Sequence, residues 1–106
     1  MKIIITLVIF VLPGLSIGGT ITTKVNTAGC SVSKNVCRAV LSASVPGTGC
    51  TYSNYVTWSP NSTFSNMFLS VALSAAASNR DVIVTATGPC VLDGQPTLDE
   101  IMLKNP

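Results

Sequence analysis

Histidine is absent from the chain, no two of the four cysteines form a CxxC pair, and only 9% of the residues are charged. The first absence removes the usual general base of acid–base catalysis. The second argues against structural zinc, whose ligands usually come in pairs two to four residues apart. The four carboxylates, Asp81, Asp93, Asp99 and Glu100, all fall in the last quarter of the sequence. Asp99 and Glu100 are adjacent, so on a strand they face opposite sides and do not form an acid–base pair. A serine or threonine nucleophile would have only a lysine or a late carboxylate for its base. The expectation is a protein that is not an enzyme and holds no metal or cofactor.

Positive charge is sparse too. Of six Lys/Arg, one is Lys2 in the N-terminal leader, so residues 19–106 carry five cations against four carboxylates. Lys24, Lys34, Arg38, Arg80 and Lys104 are scattered singly, which offers no basic patch to a nucleic-acid backbone; nucleic acid is not an expected partner.

What the chain does have is an apolar start. "MKIIITLVIFVLPGLSIGG" sets Lys2 before an apolar run from Ile3 to Leu12, then Pro13-Gly14 and small residues at Ser16 and Gly18. This is the grammar of a signal peptide; the run is shorter than the roughly 20 residues a membrane span needs. Residues 1–18 are expected to be removed, with cleavage near Gly18 or Gly19. Residues 19–106 then form a single secreted domain, exported through the periplasm if the source is bacterial.

So small a domain buries little surface, and exported domains of this size commonly add disulfides. Cys30, Cys37, Cys50 and Cys90 are expected to form two, with three connectivities open. Cys37 and Cys50 flank "RAVLSASVPGTG", whose Pro46-Gly47 and Gly49 mark a turn. One candidate therefore ties these two together and leaves Cys30 with Cys90 by elimination.

The element pattern is legible. "TITTKV" (20–25) reads as a first strand, "NTAGCSVSKN" as a polar loop, "VCRAVLSA" (36–43) as a second strand and "CTYSNYVTW" (50–58) as a third. Asn61, Ser62 or Thr63 suits a helix N-cap and Asn79 a C-cap, which brackets a helix over about 63–78. Asn61-Ser62-Thr63 is also a glycosylation sequon in a eukaryotic source, although a cap is the plainer role. "DVIVTATG" (81–88) and "TLDEIMLK" (97–104) complete five strands. The fold class is mainly β, and a single helix between strands three and four is the element order of an OB-fold, a five-stranded Greek-key barrel.

At this point the chain resembles a known family. "VCRAVLSASVPGTGCTYSNYVTWSP" followed by "FSNMFLSVALSAAASNRDVIVTATG" is similar to the centre of the B subunits of subtilase cytotoxin and typhoid toxin. The order of Cys, glycine-bearing loop, Cys, Trp, amphipathic helix and β-branched strand is shared. "ALSAAASNRDVIVTATGPCVLDGQPTLDEIML" also resembles the Shiga toxin B subunit. The resemblance covers residues 36–103. It implies a homopentameric ring of OB-folds that binds host cell-surface glycans, sialylated ones among them, and carries a separate catalytic A subunit. This is the receptor-binding role in an AB-type bacterial toxin. It also implies a Cys37–Cys50 disulfide. The alternative is an exported interaction or structural domain of the same fold without a sugar site.

The subtilase and typhoid toxin relatives contact sialic acid through a serine just before the first strand. The matching region here, "SIGGT", puts Ser16 in the leader and leaves Thr20 as the substitute. Lys24, Asn26, Thr27 and Lys34, in or beside the first loop, can hydrogen-bond a glycan, and Tyr55 can stack on one. Trp58 is expected in the core, because Tyr52, Asn54, Val56 and Trp58 share one face of an alternating strand and Tyr55 takes the other. In the helix, Ser62, Asn66, Ser70, Ser74 and Ser78 recur every fourth residue as an uncharged stripe, while apolar residues cover far more than one core-facing side requires. Asn66, Ser70, Ser74 and Ser78 are thus expected at a subunit interface lining a central channel.

Overall fold

A computed structural model describes residues 18–91 and 94–105; residues 1–17 of the expected signal peptide, Ser16 included, lie outside them. The elements are β1 (Gly19–Ser31), β2 (Val36–Leu41), β3 (Tyr55–Trp58), α1 (Ser65–Ser78), β4 (Asp81–Val91) and β5 (Gln95–Leu103). The strands close a barrel in the order β1-β2-β3-β5-β4, antiparallel except where β3 meets β5. The chain is mainly β with one helix, as expected from its element order.

Period-two alternation of β-branched residues builds this barrel. Val82, Val84 and Ala86 of β4 and Cys37, Ala39 and Leu41 of β2 point inward, joined by Val25, Val56, Trp58, Leu98 and Ile101. Ala72 and Ala75 of α1 are wholly buried against them. The Trp58 indole N–H donates to Ser65 Oγ at 3.1 Å, and the ring meets Phe68 edge-on at 5.7 Å. Trp58 therefore belongs to the core, with its polar atom satisfied.

β1 is twice the length expected, because "NTAGCS" continues the strand rather than looping. A bulge at Asn26 bends it, so that residues 19–24 pair with β4 and residues 25–31 with β2. The return to β2 is a short turn in which the Lys34 amide donates to Ser31 Oγ and Asn35 takes the left-handed φ of 53°.

β3, conversely, is shorter than expected. Residues 50–54 are held in a turn by hydroxyls. Thr48 Oγ1 and Ser53 Oγ lie 2.6 Å apart and both residues are buried. The Cys50 amide donates to Thr48 Oγ1, and Ser53 Oγ donates to the Cys50 carbonyl. Side-chain oxygens thus take backbone partners that a strand ladder would have used. The α1 N-terminus differs as well: Phe64, whose side chain has no acceptor, occupies the cap position in place of Asn61, Ser62 or Thr63, and Ser62 Oγ accepts from the Phe64 amide at 3.2 Å instead. At the other end Asn79 caps in the left-handed conformation, as expected.

The disulfides are Cys30–Cys37 and Cys50–Cys90, which corrects the expected Cys37–Cys50 and Cys30–Cys90 pairs. The cause is the lengthened β1, whose register sets Cys30 directly opposite Cys37. The 50–54 turn packs instead on the β4–β5 hairpin: the Tyr52 amide donates to the Gly94 carbonyl at 2.8 Å. Gly94 has φ +107°, and a Cβ there would meet Thr51 at 2.9 Å. This docking carries Cys50 to Cys90.

Candidate functional site

The outer face of β1, β2 and β3 carries an open groove of about 330 Å³. It follows from the alternation of β2: with Cys37, Ala39 and Leu41 inside, Val36, Arg38 and Val40 must face out. The register sets Gly29 opposite Arg38, Thr27 opposite Val40, and Tyr55 on the other side of Val40. Apart from Gly29 and its two chain neighbours, no heavy atom lies within 4 Å of where a Gly29 Cβ would stand, so the β1 side of the groove opens directly onto backbone.

Arg38 lies over the Tyr55 ring, its guanidinium carbon 5.3 Å from the ring centroid. Its Nη1 donates to Gln95 Oε1 at 3.5 Å, a long contact. Cation–π attraction of about 0.5–1 kcal/mol at such an exposed site restrains the planar fork. Among the described residues the ion pair within 4.0 Å is Lys24–Asp81, not one involving Arg38. The remaining guanidinium N–H groups can therefore donate to a ligand's oxygens. An aromatic face, an oriented fork, hydroxyls from Thr27 and Ser31, and exposed backbone suit a polar, oxygen-rich ligand.

Neither a family model, a curated protein nor a solved structure matches this chain. The functional reading therefore rests on the geometry and on the resemblance described above.

The structure does not gather the five residues expected to contact glycan. Tyr55 lines the groove together with Thr27. Thr20 is exposed on β1, its Oγ1 2.9 Å from Thr85 Oγ1. Asn26 sits at the bulge and accepts from Ser42 Oγ at 2.7 Å. Lys34, in the β1–β2 turn, borders a different cleft of about 360 Å³ beside Trp58 and Val91. Lys24 is in the middle of β1, just before the bulge, paired with Asp81 at 2.7 Å and donating to the Asn79 carbonyl at 3.2 Å.

Arg38 and Gly29 are the groove residues that sequence reading passed over. Alternation on β2 could have shown that Arg38 faces out. Its meeting with Tyr55 depends on the β2–β3 register, and that register is set by the hydroxyl-bound turn.

Cations spaced singly along the chain can still share a site in space: Lys24, Arg80 and Lys104 line one cleft with Asp81. The Lys24 hydrogen bond holds the Asp81 carboxyl below its ordinary value, helped by the charges of Lys24 and Lys104 and opposed by partial burial. A carboxyl whose folded pKa is depressed stabilises the fold above its unfolded pKa, and that contribution is lost as pH falls through the folded value. Carboxyl-carbon NMR is expected to show Asp81 titrating below the usual aspartate value of about 3.9. Lys24→Met should move it upward; an unmoved midpoint would contradict the assigned cause.

The helix presents the second surface of interest. Asn66, Ser70, Ser74 and Ser78 are all exposed, on the side away from Ala72 and Ala75. Met67 and Leu73 flank the stripe at 63% and 47% exposure, and no charge interrupts it between Ser65 and Ser78. Two large apolar side chains on an uncharged helix face are what a protein contact uses.

Proposed function

We propose that this chain is an exported, non-catalytic OB-type barrel whose Arg38–Tyr55 groove binds a host cell-surface glycan, and that it assembles through α1 into a ring of five. In that role it is the receptor-binding B subunit of an AB-type bacterial toxin, and a separate A subunit carries the catalytic activity. The observation that carries the glycan reading is the Arg38 fork lying over Tyr55 beside the open backbone of Gly29. A guanidinium donates in a geometry matched to a carboxylate, which favours sialylated glycans. Support for export comes from the two disulfides, which form and persist in oxidising compartments. The closed β1-β2-β3-β5-β4 order with α1 between β3 and β4 supports the OB-type reading.

A glycan array probed with oxidised protein tests the proposal. Binding to sialylated or galactosylated glycans is expected. Arg38→Gln should weaken it by about 30-fold, the equivalent of roughly 2 kcal/mol for a hydrogen bond to a charged group, with little change in thermal stability. Absence of binding to every such glycan would overturn the sugar site. The dispersal of Thr20, Lys24, Asn26 and Lys34 favours the second reading in that event, an exported interaction domain of the same fold.

A further inference from the structure

The two disulfides sit in unlike surroundings. Cys30 is exposed and lines the Arg38 groove, whereas its partner Cys37 is buried. A thiolate arriving from solvent therefore meets Cys30 Sγ, and the sulfur it expels is that of Cys37. Burial alone raises a thiol's pKa and makes it a poor leaving group. Here two features oppose that. Ser65 Oγ stands 3.9 Å from Cys37 Sγ, and because a disulfide sulfur carries no proton, the serine is the donor. Its oxygen already accepts from the Trp58 indole N–H at 3.1 Å, which leaves the hydroxyl proton for the sulfur. Ser65 is also the first residue of α1, and the N-terminal end of a helix favours a thiolate.

Cys50–Cys90 is built the other way. Its exposed member is Cys90, so attack there expels Cys50, whose Sγ lies 3.7 Å from the Thr48 carbonyl oxygen. The negative end of that carbonyl dipole disfavours a developing thiolate. We propose that Cys30–Cys37 is a thiol-exchange site, opened by an external dithiol that attacks Cys30. The reductant's thiolate bonds to Cys30 Sγ, the Cys30–Cys37 bond breaks, and its electron pair leaves on Cys37, held by Ser65 and then protonated by water. The reductant's second thiol loses its proton to water, attacks the mixed disulfide and releases the Cys30 thiolate, which water protonates. The dithiol ends as a disulfide and both cysteines as thiols. The barrel outlasts this opening, because the register from Val25 opposite Leu41 to Ser31 opposite Val36 still holds β1 to β2. The bridge spans 7 residues against 40 for Cys50–Cys90, so its loss frees less of the unfolded chain. A free thiol then stands in the wall of the groove.

Limiting dithiothreitol followed by iodoacetamide and tryptic digestion tests this on the oxidised protein. Alkylation of fragments 25–34 and 35–38 is expected about tenfold faster than that of 39–80 and 81–104. Reduced glutathione, a monothiol, should be trapped on Cys30 in fragment 25–34, with Cys37 alkylated. Ser65→Ala should slow the opening about fivefold through loss of one hydrogen bond, and Ser65→Thr, which keeps the hydroxyl, should restore the rate. An unchanged rate for Cys50–Cys90 in both variants separates this effect from a general loosening of the fold. Where Ser65→Ala does not fold, the site of glutathione trapping and the order of opening in the native chain decide. Both bridges opening together, glutathione found on Cys37, or an unchanged rate in a folded Ser65→Ala would overturn the site.

Discussion

Digested with trypsin after unfolding with its thiols blocked, the oxidised protein is expected to release two linked pairs of fragments, residues 25–34 with 35–38 and residues 39–80 with 81–104. Lys24, Lys34, Arg38, Arg80 and Lys104 place each cysteine in a different fragment, so the three possible connectivities give three distinct sets of masses. The expected set corresponds to Cys30–Cys37 and Cys50–Cys90; fragment 35–38 linked to 39–80 would restore the Cys37–Cys50 pairing. The two bridges should also differ in weight. Cys50–Cys90 spans 40 residues and Cys30–Cys37 spans 7, for which chain entropy gives about 4 and about 2.5 kcal/mol respectively. A small domain has only about 5–15 kcal/mol in total. Replacing Cys50 and Cys90 together with alanine should therefore lower Tm by roughly 15 °C or more. A loss of only a few degrees would show that the 50–54 turn stays docked on the β4–β5 hairpin without its bridge.

Glutamate at Ser70 or Ser74 is expected to abolish the proposed ring while leaving the monomer folded. Both serines are exposed on α1, facing away from Ala72 and Ala75, and exposed substitutions of this kind usually change stability by no more than about 0.5 kcal/mol. In a closed ring each interface repeats. One new carboxylate per chain becomes a circle of like charges facing a surface that has no cation on α1 to answer them. Like-charge juxtaposition at an interface costs several kcal/mol. Sedimentation should show dissociation, and circular dichroism an unchanged helix and melting point. A ring that survives Ser74→Glu would remove the helix stripe from the interface.

The parts of this molecule that sequence could supply are those governed by local periodicity. Val82, Val84 and Ala86 alternate with outward neighbours and needed no partner to be placed. The Ala-rich run ending at Asn79 carried its own C-cap. The parts that escaped depend on distant groups meeting. β1 runs on through "NTAGCS" because β2 is there to receive it, and that extension sets Cys30 against Cys37, while the docked 50–54 turn brings Cys50 to Cys90. The Thr48–Ser53 hydroxyl pair shortened β3 although its residues favour a strand. Of the expected sugar contacts, Tyr55 was legible as an outward residue of its strand. Arg38 was visible only as a lone charge until the β2–β3 register put it over Tyr55. The convergence of Lys24, Arg80 and Lys104 was hidden for the same reason: spacing along the chain says nothing about which strand ends share a corner of a barrel.

The central claim, that the uncharged face of α1 holds a ring of barrels that presents the Arg38–Tyr55 groove to a cell surface, is tested most directly by the mass of the oxidised protein in solution. Sedimentation velocity at tens of micromolar is expected to give a single species of five chains. A clean monomer under those conditions would contradict the assembly.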